Sequence, residues 1–304
     1  MAEAEAISRS VSAYTSRYYG LSRVCKVLAV ARSTVYWQRQ SAARQVPGRR
    51  PGPLGPCGDE ELVEKIKTVL KASPFHGEGY RKVWARLRHQ GIRTSKRRVL
   101  RLMRAHGLLA PHRVGHPHGP RAHDGKITTE RINEMWGTDM TSCWTTEEGQ
   151  ACIFVAVDHC SLECVGIHAA KHGTRFEALE PIRQATRERF GGYAADVAQG
   201  LKIRHDHGSQ YMADDFQAEI RFLGMESSPA FVREPEGNGC AEWFIRTLKE
   251  NLLWVNPVRT IEELRLALLE FKDLYNNHWL IERHGNKTPA QVREQQLTSM
   301  QRAA

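Results

Sequence analysis

Cysteine is scarce in this chain, with seven residues in 304, an odd number. That excludes a disulfide-stapled secreted scaffold and favours a reducing cytosol. No stretch approaches the ~20 consecutive apolar residues of a membrane span. The start, MAEAEAISRS, lacks the basic opening and apolar run of a secretory signal. A nucleotide-binding P-loop is missing, and so is a zinc module of paired His and paired Cys. Acid is sparse in the first 130 residues, where 25 Lys+Arg face 9 Asp+Glu, a net +16. Residues 131–304 hold the other 19 and 25, a net −6, so the overall +10 belongs to the front. This asymmetry predicts a polyanion-binding front, with nucleic acid as the polyanion because nothing reads as a membrane anchor. What is present is globular: 41% hydrophobic and 26% charged residues in a length that suits two to three domains.

Helical periodicity dominates the front. Leu21, Val24, Cys25 and Leu28 recur on one face, and after a break at Ala29-Val30-Ala31 a second helix follows, with Ser33 or Thr34 as its N-cap. This is the outline of a helix-turn-helix, or of an ordinary helical hairpin. The stretch QVPGRRPGPLGPCG (45–58) cannot continue a helix and reads as a linker. Beyond it, Leu62, Ile66 and Val69 form one apolar stripe, and Tyr80, Val83, Trp84 and Leu87 another, ended by Gly91. Thr94 or Ser95 caps a third helix packed through Val99, Leu102 and Met103 and ending at Gly107. Its other face carries Lys96, Arg97, Arg98, Arg101 and Arg104, cations suited to neutralising phosphates in a DNA groove. The loop-like stretch that follows holds His112, His116, His118 and His123, which read as solvated rather than as a zinc site.

From Ile132 the period changes to two. Trp136, Thr138, Met140, Ser142 and Trp144 share one face of a strand, with Gly137, Asp139, Thr141 and Cys143 on the other. ACIFVAV (151–157) reads as a strand buried on both sides. Further strands are expected at Cys164–Ala169, Leu201–His205 and Met225–Ser228, and helices around Phe176–Ile182, Phe216–Leu223 and Cys240–Leu253. Together they describe a mixed sheet flanked by helices. Three acids lie at or near element ends: Asp139, Asp206 after 66 intervening residues, and Glu242 after a further 35. Converging carboxylates repel one another unless a cation neutralises them, and hard oxygen ligands with open positions suit Mg²⁺ or Mn²⁺. Each acid taken singly could instead be a cap or a surface charge.

At these residues the chain resembles a known family. WGTDMT (136–141), HDHGSQY (205–211) and GNGCAE (237–242), extended by Phe244, Leu248 and Lys249, look like the three signature blocks of DDE transposases. The resemblance is to the insertion-sequence-3 group, in its second-reading-frame product (OrfB), which shares the retroviral-integrase core of RNase H-like fold. The 35-residue interval before Glu242 matches that group. Tyr80–Leu109 resembles its helix-turn-helix, and Tyr275-Asn276 and Thr288-Pro289-Ala290 its C-terminal signature. Met140 stands where Ile is common, and the segment DHCSLECVG (158–166) lacks the basic pair often found there.

The resemblance implies an α/β fold, a mixed-sheet RNase H-like core preceded by two small all-α helix-turn-helix domains. The expected segments are a helix-turn-helix at 1–44, a linker at 45–58, a second helix-turn-helix at 59–112, a linker at 113–130, the catalytic core at 131–256 and a C-terminal helical segment at 257–304. Asp139, Asp206 and Glu242 would be catalytic and metal-binding, holding two Mg²⁺ or Mn²⁺ ions. Lys249, two turns beyond Glu242, would contact DNA near the scissile phosphate, assisted by Arg246, for which an i,i+4 pair with Glu242 is the alternative. Asn238 and its flanking glycines suit close approach of backbone to DNA. Asp158 is expected to be structural. The implied activity is that of a polynucleotidyl transferase acting on the element's terminal inverted repeats and on target DNA, by a copy-out, paste-in route. The implied assembly is at least a dimer on DNA, together with the upstream-frame product (OrfA), in the bacterial cytoplasm at the nucleoid. The chain opens at Met1 without leucine-zipper heptads and so reads as the second frame alone. A non-catalytic DNA-binding regulator and a general RNase H-like nuclease are the alternative classes.

Overall fold

The computed structural model describes residues 2–43, 57–111, 127, 129–230 and 238–303. Apart from their last residues, the expected linkers at 45–58 and 113–130 lie outside the described residues, as do His112, His116, His118, His123 and Gly237. The chain divides into two compact units, Met1–Leu54 and Gly55–Ala304.

The first unit holds α1 (Ala2–Ser8), α2 (Leu21–Val27) and α3 (Arg32–Ala43). The expected break falls between α2 and α3, where Ala29 takes a left-handed φ of 51°. Ser33 and Thr34 sit inside the first turn of α3 rather than capping it, because the Thr34 amide already donates to the Ala31 carbonyl at 3.1 Å. Ala4, Val24, Cys25 and Val35 are buried, and Arg39 bridges back to Glu5 at 2.8 Å.

The second unit begins with α4 (Asp59–Ala72), α5 (Tyr80–His89) and α6 (Lys96–Ala105). Leu62, Ile66, Val83, Leu87, Val99 and Met103 fill the space between them. Ser95 is the cap of α6, its hydroxyl accepting from the Arg98 amide, and Gly107 beyond its end has φ 65°. These helices rest on the rest of the unit. Phe75 stands edge-on to Trp279 at 4.8 Å between ring centroids. The buried Glu78 carboxylate takes two hydrogen bonds of 2.7 Å from Arg86, which also reaches the His278 carbonyl.

Five strands follow: β1 (Met135–Thr145), β2 (Gly149–Asp158), β3 (Cys164–Ala170), β4 (Lys202–His205) and β5 (Glu226–Pro229). They lie in the order β3-β2-β1-β4-β5, with β1, β2 and β3 antiparallel and β4 and β5 parallel to β1. Alternation along β2 sorts the core into two layers. Ile153, Val155 and Val157 face α10 (Gly239–Leu248) and α11 (Ile261–His278), whereas Phe154 and Ala156 face α7 (Arg175–Phe190) and α9 (Asp214–Phe222). The short α8 (Ser209–Met212) contributes Tyr211 to the second layer, and α12 (Pro289–Ala303) ends the described chain.

The helix expected to run to Leu253 changes character before that point. Its α-helical part ends at Leu248, and a π-helical turn spans Lys249–Leu253. The wider turn buries Asn251, whose Oδ1 accepts from the His76 amide and whose Nδ2 donates to the Thr247 carbonyl, each at 2.9 Å. Single π-turns within helices are common at functional sites.

Candidate active site

Strand register brings the first two acids together. β1 and β4 run parallel with Met135 beside Lys202, Trp136 beside Ile203 and Gly137 beside Arg204. Two residues beyond that last pair stand Asp139, inside β1, and Asp206, just past the end of β4, near enough that the Asp206 charge acts on Asp139. Asp139 is paired with Val155, whose side chain faces α10, so it opens toward that helix. Asp206 is exposed just past β4, and its Oδ1 accepts from the Gly208 amide at 2.9 Å, which fixes the turn into α8.

Glu242 occupies the first turn of α10. That helix packs inward through Ala241, Phe244, Ile245 and Leu248, and its start is tied to β1 by one side chain. Asn238 Nδ2 donates to the Thr138 carbonyl at 2.9 Å, crossing directly over Gly137. A Cβ on Gly137 would stand 2.7 Å from Asn238 Oδ1 and 2.8 Å from His159 Nε2. The glycine of the first block is therefore needed so that the asparagine of the third can lie across it. Asn238 is 4% exposed, and its side chain is turned inward, where it holds the helix that carries Glu242.

The ring of His159 completes this floor. Its Nδ1 lies 3.2 Å from the Ile127 carbonyl, which can only accept, so Nδ1 carries the proton. Burial above all holds the imidazole below its usual pKa, and the Arg283 and Arg204 cations add to that, leaving Nε2 as a bare acceptor. Asp158, fully buried, is structural as expected: its carboxylate accepts from the amides of Asn133, Cys160 and Ser161 and from the Ser161 hydroxyl.

The electrostatics bear on cation binding. Burial, with the Asp206 and Glu242 charges adding to it, raises Asp139 from 3.8 to about 6, while the Met140 amide and Lys249 pull it down. Partial burial also raises Glu242. The donors are hard oxygens whose charge Lys249 offsets only in part, and a divalent cation supplies such charge. Their side chains are not drawn into a ligand sphere, however: among the described residues no group of three His, Cys, Asp or Glu stands close enough to hold one ion. Uncompensated carboxylates repel, and spreading apart relieves that repulsion. A cleft of about 320 Å³ lined by Glu130, Cys160, Arg283 and Gln296 contains none of the three acids.

The cations sort into two groups. Lys249, at the start of the π-turn, lies close enough to act on Asp139. Arg246 is exposed and pairs with Glu250 at 3.1 Å, so its i,i+4 partner is not Glu242 but the acid on the other side. On α6, Arg98 and Arg101 both hold Asp59, at 2.8 and 2.6 Å, and Lys96 holds Glu282 at 3.2 Å while lying over the Trp84 ring. Arg97 and Arg104 are exposed without an ion pair among the described residues, one above the other on the same face. Arg97→Ala and Arg104→Ala are each expected to weaken DNA binding about eightfold at 0.1 M salt and to reduce the slope of log K against log[salt] by about 0.9. Arg98→Ala is expected to act mainly on the melting temperature. Fluorescence anisotropy over a salt series, with thermal melts of the free proteins, checks both.

An HTH-like domain family matches residues 58–116, and an integrase core domain family matches residues 129–235. Transposase InsD for insertion element IS2A/D/F/H/I/K of Escherichia coli is 28% identical over 255 residues, which cover 82% of this chain and 82% of that protein. Transposase InsD for insertion element IS2-9 of Escherichia coli strain K12 is also 28% identical, over 82% of this chain and 80% of its own. The chain is thus similar to insertion-element transposases over most of its length. A mixed five-stranded sheet, matched in part by the integrase core family and preceded by a helical HTH-like region, is the architecture of this chain. Among solved structures, the catalytic core domain of BIV integrase aligns at a TM-score of 0.41 with 20% identity, covering 55% of this chain and 98% of that one. The trimeric form of the HTLV-2 integrase catalytic core domain in complex with magnesium aligns at 0.41 with 20% identity, covering 54% and 97%. The core-domain match ends at residue 235, before Glu242.

Sequence reasoning passed over Gly137, His159 and Arg283 as site residues. Gly137 lies inside the first block, but nothing local says that a side chain 101 positions away, Asn238, crosses it.

Proposed function

We propose that this protein is a transposase that binds the terminal inverted repeats of its own insertion element and cuts and joins DNA with Asp139, Asp206 and Glu242. The observation that carries the reading is the parallel pairing of β1 with β4, which ends at Gly137 and Arg204 and leaves Asp139 and Asp206 each two residues beyond it, near the helix start that Asn238 pins to β1. The three carboxylates would hold divalent metal, two Mg²⁺ or Mn²⁺ ions. When bound, such ions sharpen the attacking oxygen and stabilise the leaving one in phosphodiester displacement. The protein's own part is to hold the acids on one face and to bring DNA to them through the basic front, with Arg97, Arg104, Lys249 and Arg246 on phosphates. In the first step water attacks a phosphodiester at the element end, and the 3′-oxygen leaves as a free hydroxyl. In the second that hydroxyl attacks a phosphodiester of target DNA and expels its 3′-oxygen. Each step breaks one P–O bond and forms one. Two ends cut together call for at least a dimer on DNA, with the upstream-frame product as partner, working in the cytoplasm at the nucleoid.

The test uses the full chain with duplexes that carry the element's own ends. Strand cleavage and joining are expected with Mg²⁺ and none with EDTA, and Asp206→Asn should bind the ends as tightly while losing both steps. Unchanged behaviour of Asp206→Asn would leave a DNA-binding regulator; cleavage without joining would leave a nuclease.

A further inference from the structure

The short 3₁₀ turn Glu282–His284 lies between α11 and α12, far along the chain from the three acids. Its backbone is fixed by an isolated bridge between Ile281 and Lys287 and by Gly285 in the left-handed region at φ 67°. One guanidinium nitrogen of Arg283 donates to the carbonyls of His159 and Cys160, at 2.7 and 3.0 Å. The same guanidinium lies near enough to the Cys240 thiol for its charge to act on it, and Cys240 lies in the first turn of α10, two residues before Glu242. Arg283 thus acts on both parts of the floor beneath the acids: the segment that presents the His159 ring to Gly137, and the helix start that Asn238 ties to Thr138.

We propose that Arg283 is a positioning residue for strand cleavage, locking the first turn of α10, and with it Glu242, against the His159–Gly137 floor. It touches no reacting atom and acts through Cys240 and the two carbonyls. Arginine suits the task because its planar fork offers several donors in fixed directions, whereas lysine offers a single point of charge. Two carbonyls on one segment and a thiol on another need such a fork. The proposal rests on the reading of Glu242 as a catalytic acid, but its first test does not.

Hydrogen exchange on the full chain reports local opening directly. In Arg283→Ala the amides of residues 243–248 are expected to exchange at least tenfold faster, while those of α6 keep their rates. Single-turnover cleavage of bound end DNA should fall at least tenfold with the dissociation constant for that DNA changed less than twofold. Arg283→Lys should recover part of both losses, and Cys240→Ala, which removes only the partner on the helix side, should speed exchange in α10 alone. Unchanged exchange in α10 would overturn the proposal, and so would a rise spread evenly over the whole chain. Should Arg283→Ala fail to fold, normal α10 exchange in both Arg283→Lys and Cys240→Ala would overturn it equally. Absence of cleavage by the unsubstituted protein would sink the transposition chemistry and leave the exchange result standing.

Discussion

Asp139→Asn is expected to reduce strand cleavage more than a thousandfold, roughly 4 kcal/mol of lost transition-state stabilisation, and at the same time to stabilise the metal-free protein. The second half follows from the sign of one ionisation. Asp139 is raised from 3.8 to about 6 in the fold by burial and by the Asp206 and Glu242 charges. A folded state that holds a proton more tightly than the unfolded chain is favoured at low pH, and that advantage is lost as pH rises through about 6. At pH 7.5 the ionised Asp139 therefore costs stability. Two pKa units would correspond to about 3 kcal/mol, and partial exposure to solvent reduces this to about 1–2 kcal/mol. Asn carries no charge and retains an oxygen for the Met140 amide, which donates to Asp139 Oδ1 at 2.8 Å. Urea unfolding in EDTA should show the variant more stable than the parent at pH 7.5 and nearly equal to it at pH 4. Added Mg²⁺ should stabilise the parent and leave the variant unmoved. A variant less stable at pH 7.5 would mean that the ionised Asp139 does not cost the fold stability.

Gly137→Ala is the second large effect. The added methyl would stand 2.7 Å from Asn238 Oδ1 and 2.8 Å from His159 Nε2, closer than atoms tolerate. Asn238 cannot swing aside without giving up its bond to the Thr138 carbonyl, and His159 is backed by the Ile127 carbonyl. The expected cost is about 1–3 kcal/mol of stability and at least a tenfold loss of cleavage, with binding of end DNA retained. Asn238→Ala removes the crossing side chain and should cost about 1–2 kcal/mol for the buried bond. The double substitution should cost less than the sum of the two single ones, because the methyl then meets only the His159 ring and no longer Asn238 Oδ1. Additive costs in a double-mutant cycle of denaturant midpoints would show that the two residues do not meet.

Legibility in the sequence followed the range over which each signal acts. The run 151–157 announced β2 because a strand covered on both faces needs apolar residues at every position, and all seven positions are apolar. The Ser95 cap, the left-handed glycines 91 and 107 and the alternation along β1 are likewise local devices, and the helices and strands around them fall close to expectation. The three acids were legible through motif and spacing. What stayed hidden was pairing across distance. Asn238 beside glycines reads as a residue that meets DNA, and only folding reveals its partner 100 positions back in β1. The row of five cations on α6 reads as one DNA-facing stripe, but Asp59 at the start of α4 and Glu282 beyond α11 engage three of them. The π-turn at Lys249–Leu253 has no compositional mark, and the partner that its Asn251 meets, the His76 amide, is 175 positions away.

The parallel pairing of β1 with β4 also governs which changes of length the chain can absorb. Each acid stands four residues beyond the first position of its strand pairing, Met135 for Asp139 and Lys202 for Asp206. A residue inserted between the exposed Ala194 and Ala195 leaves those two counts untouched and costs little more than loop entropy. A residue lost inside Lys202–His205 rotates Asp206 onto the opposite side of the sheet, toward Trp136 and α7. The 66 positions that separate the two aspartates are thus elastic in the loop and rigid within the strands.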